Sequence, residues 1–343
     1  MLRPALLSLL SLVALLHASS TPALAGPTLG VNQAWVEGAF GRDLSQDWDP
    51  DAWRRLLRLT RASGAKVMRV WLFEGHPFEG VAWDLHRPVA PVPGFVEHVR
   101  ALAAMGREEG VQLYWTAFDG NWPGYVTDPL AYARAWNVFN DRFGYGREFR
   151  ERVLAPVLAA IAAEPASCFA LDLLNEAQGC LGARGGFVGG WAGARRFLSE
   201  WAAFVKQRAP GVRVTASSGH HTGSADLLAG RFEGLGLDFR DVHLYEDGGM
   251  PFDAWWLAWQ CRQRGIGLVI GEHGQRSSRV DPALQARATD AVLSHAERAG
   301  VLAILPWRLE DRRPDGARFT LWENAGQTPR PVVDVMRRWA ARW

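Results

Sequence analysis

"CFALDLLNEAQG", residues 168–179, decides how the chain is read. Its first seven residues are apolar except Asp172, yet the run ends in an amide and a carboxylate, Asn175 and Glu176. An apolar run of this length is the pattern of a parallel strand covered on both faces. Two polar groups at its tip raise the question of what the strand end faces.

Working outward, the same unit recurs. Strand-like runs are "LGVN" (29–32), "KVMRVWLF" (66–73), "VQLYWTAF" (111–118) and "CFALDLLN" (168–175). Four more are "VRVTASS" (212–218), "FRDVHLY" (239–245), "GLVIGEH" (267–273) and "VLAILPW" (301–307). Stretches of helical period separate them. Asp49-Pro50 starts the first helix, Trp53, Leu56 and Leu57 share its face, and Gly64 stops it. Phe95, Val99, Leu102 and Ala103 line the second, which ends at Gly110. The sixth runs from Pro251 to Arg264, the seventh from Asp281-Pro282 to Gly300, and the fifth crossover carries little helical signal around Leu227 to Gly230.

Strand then helix, eight times, predicts an α/β fold: a (β/α)8 TIM barrel, one domain with enlarged loops. The rival is an open doubly wound sheet, which predicts a glycine-rich phosphate turn after an early strand. "GVNQAWVEGAFG" (30–41) lacks the G-x-G-x-x-G spacing.

Residues 1–25 read as a secretory signal. Arg3 precedes the apolar stretch "ALLSLLSLVALL" (5–16), and Ala23-Leu24-Ala25 before Gly26 fits a cleavage site. The expected product is a secreted or periplasmic catalytic domain, residues 26–343, monomeric and free of the membrane after cleavage. Net charge is +2, which gives no nucleic-acid footprint. There are 17 tryptophans, whose faces can stack on sugar rings as well as fill a core. Cys168, Cys180 and Cys261 have no metal-ligand spacing and are expected as free thiols. No cofactor and no metal is expected; barrel metal hydrolases open with His-x-His on the first strand, where this chain has Gly30-Val31-Asn32.

Barrel enzymes carry their chemistry at the C-terminal ends of strands. Here those ends are rich in polar and aromatic groups. The second carries Arg69 and Trp71, the third runs into "FDGNW" (118–122), and the fourth ends in Asn175-Glu176. The sixth ends in His243-Leu244-Tyr245, the seventh in Glu272-His273, and the eighth in Trp307. Glu176 and Glu272 would face each other across the mouth, the paired carboxylates a retaining glycosidase needs, one protonated and one ionised. Arg69 would keep Glu272 ionised, Tyr245 would orient it, and Asn175 would grip a sugar 2-hydroxyl. Asp172 points into the barrel and needs a partner such as Arg69. Alternation turns His273 away. His220 and His221 read as loop residues, and 123–146 as part of the cleft wall.

Asn-Glu on strand four, His-x-Tyr on strand six, Glu on strand seven and Trp on strand eight resemble clan A glycoside hydrolases, most of all glycoside hydrolase family 5. The resemblance implies that Glu176 is the acid/base, Glu272 the nucleophile and Trp307 the floor beside the cleaved bond. Arg69 and His243 fall among the supporting residues. "RVW" at 69–71 with Asn121-Trp122 is similar to the β-mannanase branch and implies Trp71, Asn121 and Trp122 as substrate contacts. Two departures are Ala177 where the family has Pro, and Thr116 where many members have His. The function implied is a retaining β-glycoside hydrolase, endo-acting on a β-1,4-linked oligo- or polysaccharide, mannan before glucan. The other reading is a carbohydrate-binding barrel without catalysis.

Overall fold

The structure, a computed structural model, describes residues 27–36, 42–73, 78–182, 185–245, 250–274, 281–310 and 319–343; the expected leader, 1–25, lies outside them. The barrel strands are β1 (Thr28–Asn32), β2 (Val67–Trp71), β3 (Gln112–Thr116), β4 (Cys168–Asp172), β5 (Val214–Thr215 with Ser217–Ser218), β6 (Phe239–Leu244), β7 (Gly267–His273) and β8 (Ala303–Pro306). All neighbours run parallel: Asn32 sits opposite Arg69, Arg69 opposite Tyr114, and Leu29 opposite Ile304. The two halves of β5 pair with different neighbours, Leu171↔Val214 on one side and Ser218↔Val242 on the other. That closes the ring, so the sheet has no free edge and the expected (β/α)8 barrel forms.

Around it lie α1 (Pro50–Ala62), α2 (Phe95–Glu109), α3 (Ala155–Ala162), α4 (Trp191–Arg208), α5 (Gly223–Leu228), α6 (Phe252–Gln263), α7 (Pro282–Ala299) and α8 (Pro331–Arg342). The caps behave as the sequence signals require. Asp49 Oδ1 accepts from the amides of Asp51 and Ala52 at 3.0 Å, and Asp281 Oδ1 accepts from Ala283 N at 2.8 Å. The fifth crossover reduces to the single short helix α5. Two additions stand outside the eight-fold pattern read from the sequence. A hairpin pairs Val81–Asp84 with Arg87–Pro91 after β2, and helices Trp122–Tyr125 and Pro129–Phe139 follow β3.

Inside the ring the side chains stack in layers. Val67, Tyr114, Phe169, Phe239, Val269, Ala303 and Leu305 form an apolar cluster. A buried polar group stands with it: Arg69, Asp172, Asp241 and Asn32, all fully or almost fully enclosed. Tyr114 donates its hydroxyl to Asp241. Cys180 and Cys261 are buried thiols and Cys168 is partly buried. No helix among the described residues is long and apolar enough to cross a membrane.

Candidate active site

A cavity of about 670 Å³ is lined by residues from the C-terminal ends of the strands and their loops. Trp35, Trp71, Asn121, Asn175, Glu176, His243, Tyr245, Glu272 and Trp307 all face it. Residues separated by more than 200 positions thus meet because every parallel strand ends on the same rim.

Glu272 reaches the cavity through an irregularity in β7. Strict alternation from Val269 would aim Gly271 inward, but the β6–β7 register shifts between Ile270 and Glu272. Glu272 therefore turns inward, and the buried His273 does not line the cavity. Asp241 accepts a hydrogen bond from Gly271 N at 2.9 Å in the space a side chain there would fill. Glu272 Oε1 accepts from Arg69 Nη1 at 2.6 Å, and its Oε2 accepts from the Tyr245 hydroxyl at 2.6 Å.

Arg69 is the hub. Its other nitrogen donates to Asp172 Oδ2 at 2.7 Å and to Asn175 Oδ1 at 2.9 Å. Burial disfavours its charge, but the Glu272 and Asp172 carboxylates outweigh that and raise its pKa further. Asp172 is thus the buried acid with its expected partner. It also accepts from the amides of Leu174 and Ser217 at 3.1 and 3.0 Å, tying β4 to β5.

Glu176 stands just beyond β4 with φ 50° and ψ 64°, a left-handed conformation uncommon outside glycine. Its amide donates to Ser217 Oγ at 3.1 Å. Its carboxylate passes over Gly219, where any Cβ would collide with it. Oε1 accepts from His243 Nδ1 at 3.0 Å and Oε2 from Asn121 Nδ2 at 3.1 Å. His243 Nδ1 is also 3.6 Å from Glu272 Oε2, so the imidazole lies between the two acids. Glu176, His243 and Glu272 each offer a donor atom within 4.8 Å of the others.

The charges follow. Burial pushes the Glu176 carboxyl up, but the hydrogen bond and charge of His243, with help from Asn121 and His220, pull it down to about 2. Burial pushes His243 down, but Glu272 and then Glu176 raise it above its ordinary value. The arrangement thus favours the charged forms of both His243 and Glu176. This departs from the expectation of a protonated Glu176. The cause is an imidazole held between two carboxylates, which sequence spacing does not reveal.

Trp122 needs the plainest correction. It was expected to contact substrate, but it is only 3% exposed, does not line the cavity, and packs against Tyr132 and Phe139. Successive residues on the short helix Trp122–Tyr125 point apart, so Asn121 takes the cleft side while Trp122 enters the aromatic core. Trp71 does line the cavity, as does Trp35, whose ring meets Trp71 and Trp307 edge-on at 6.1 and 6.0 Å. Of segment 123–146, Tyr125 lines the cavity, and Ala131, Ala135, Val138 and Phe139 of the helix Pro129–Phe139 are buried.

Three contributors were not singled out from sequence. His220 and His221 line the cavity, and His220 Nε2 donates to Asn121 Oδ1 at 2.9 Å. Asp119 accepts from the Asn121 amide at 3.1 Å, Asn121 Nδ2 at 3.2 Å and Asn175 Nδ2 at 3.0 Å. Burial raises Asp119 to about 6 despite those bonds. With Arg69 on its oxygen and Asp119 on its nitrogen, the Asn175 amide is fixed and keeps one N–H for another acceptor.

No family model matches the chain, and no curated protein matches it by sequence. Solved structures do. The chain is similar to the β-mannanase of the blue mussel Mytilus edulis (TM-score 0.67, 19% identity, 92% of each chain covered). It is also similar to the endo-1,4-β-mannanase of Eisenia fetida (0.65, 14%, 94% of this chain and 92% of that one). A third is an exo-β-1,4-mannosidase from Opitutaceae bacterium strain TAV5 (0.64, 15%, 93% and 59%). At these identities the likeness is one of fold.

Proposed function

We propose that the protein is a secreted, retaining β-glycoside hydrolase of the family 5 kind, endo-acting on a β-1,4-linked polysaccharide, with mannan as the preferred class. One observation carries the reading. Two carboxylates from β4 and β7 approach within 4.8 Å at one cavity, close to the separation of about 5–5.5 Å that a double displacement needs. Their surroundings differ. Glu272 is held by a guanidinium and a phenol, while Glu176 is held by an imidazole that can exchange a proton with it.

In this reading Glu272 attacks the anomeric carbon, and a covalent glycosyl-enzyme forms as the bond to the leaving oxygen breaks. Glu176 supplies the proton to that oxygen, drawn from His243 Nδ1 across 3.0 Å once substrate has displaced water. Water then enters, Glu176 takes its proton, and Glu272 is released. Arg69 and Tyr245 fix the direction of Glu272 by donating to its two oxygens. Trp307, with Trp35 and Trp71, offers indole surface for the sugar beside the cleaved bond, and Asn121 and His220 border the leaving-group side.

The mannan preference draws its support from the names of structurally similar proteins. Export of residues 26–343 rests on the leader-like sequence of 1–25. Assaying the mature protein on mannan, glucomannan, mixed-linkage glucan, cellulose and xylan tests the reading. New reducing ends fastest on mannan, with oligosaccharides of several lengths early on, are the expected result. Single sugars alone would contradict endo action, and no cleavage of any of them would contradict the whole proposal.

A further inference from the structure

Helix α6 is apolar on two sides. One side, Ala254, Leu257, Ala258 and Cys261, is buried against the barrel. The other carries Phe252, Trp256 and Trp259, exposed by 83, 43 and 43%. These three fall at i, i+4 and i+7, one stripe of a helix. Trp256 and Trp259 lie nearly parallel, with centroids 4.6 Å apart and planes inclined by 14°. Trp255, between the stripes, packs on His295 and under Arg298. Exposed aromatic groups gathered in this way mark interaction surfaces.

The stripe begins beside the cavity. Pro251 and Asp253, on either side of Phe252, line it. From Phe252 the stripe runs about 10 Å along the helix at 1.5 Å per residue. Gln260, Arg262 and Gln263 stand beside it with hydrogen-bonding groups. Flat indole faces flanked by amides and set at the mouth of a cleft suit a sugar chain. The faces meet the ring C–H surfaces and the amides meet hydroxyls.

We infer that Phe252, Trp256 and Trp259 form a second carbohydrate-binding surface, which holds a β-linked polysaccharide chain where it leaves the cavity. The inference rests on the proposed glycosidase reading. It predicts that the protein grips long chains better than short ones.

The test uses Glu272→Gln protein, which binds without cutting, with and without Trp256→Ala/Trp259→Ala. Retention in gels containing soluble glucomannan and sedimentation with insoluble mannan are measured. The expected result is retention about tenfold weaker in the double variant, the factor given by losing about 1.4 kcal/mol. In cleavage-competent protein, the same pair of substitutions should leave hydrolysis of a trisaccharide within about twofold, since the indoles are exposed and do not line the cavity. Equal retention of both proteins would overturn the inference and leave the glycosidase reading intact. A parent that neither cuts nor binds any polysaccharide would overturn both. A parent dimer that the double variant turns into a monomer would assign this face to a second copy, and variant-sensitive binding to phosphatidylcholine vesicles would assign it to a lipid surface; either would overturn the inference.

Discussion

His243 Nδ1 lies 3.0 Å from Glu176 Oε1, and that contact does most to lower the Glu176 carboxyl. Burial opposes the charged form, but the hydrogen bond and charge of His243 outweigh it, and Glu176 falls from 4.5 to about 2. The sign of the stability effect follows. A carboxyl depressed on folding stabilises the folded state above its unfolded pKa and loses that contribution as pH falls towards the folded value. The shift corresponds to about 3 kcal/mol. Glu176→Gln should therefore be less stable than the parent near neutrality, and the gap should narrow as pH drops from about 5 towards 3. Urea midpoints across that range measure it; a gap that stays constant would contradict the ion pair.

Arg69 joins two buried acids, Asp172 at 2.7 Å and Glu272 at 2.6 Å, with all three side chains almost wholly enclosed. Arg69→Met should destabilise the fold by about 3–5 kcal/mol, because it strands two buried carboxylates. Denaturant unfolding reads this directly, and a loss below about 1 kcal/mol would mean that water or other donors can replace the guanidinium.

Gly219 leaves the space through which the Glu176 side chain reaches the cavity. Gly219→Ala should push that carboxylate aside and lower kcat by about 100-fold, the scale of a small misplacement in an active site. Circular dichroism should remain that of the parent. Near-normal turnover would show that Glu176 is not used where it stands.

The two acids should also respond differently to substrate. Glu176→Ala should retain much of its rate on aryl glycosides with good leaving groups, which need little proton donation, and lose it on polysaccharide. Glu272→Gln should lose both while remaining folded. Equal loss on the two substrates in Glu176→Ala would remove its acid role.

Much of this architecture was legible because parallel barrels repeat one local pattern. Eight apolar runs, Asp-Pro helix starts and glycine stops gave every barrel strand, and Asn175-Glu176 stood out as polar groups closing an apolar run. Trp122 was misread because sequence does not tell an indole facing sugar from one facing Phe139; the turn of a four-residue helix decides it. Alternation put His273 on the face opposite Glu272, but the inward turn of Glu272 itself rests on a register shift that counting does not include. His220 was read as a loop residue because nothing local to it announces Asn121, 99 positions earlier. The upward shift of His243 was hidden for a similar reason, since it depends on two acids from different strands.

The stereochemistry of the first product tests the central claim most directly. Proton NMR of mannan or mannooligosaccharide cleavage, recorded before mutarotation, should show the β-anomer formed first, as two inversions at the anomeric carbon by way of Glu272 require. The α-anomer appearing first would mean that water attacks directly, and that Glu272 is not the nucleophile.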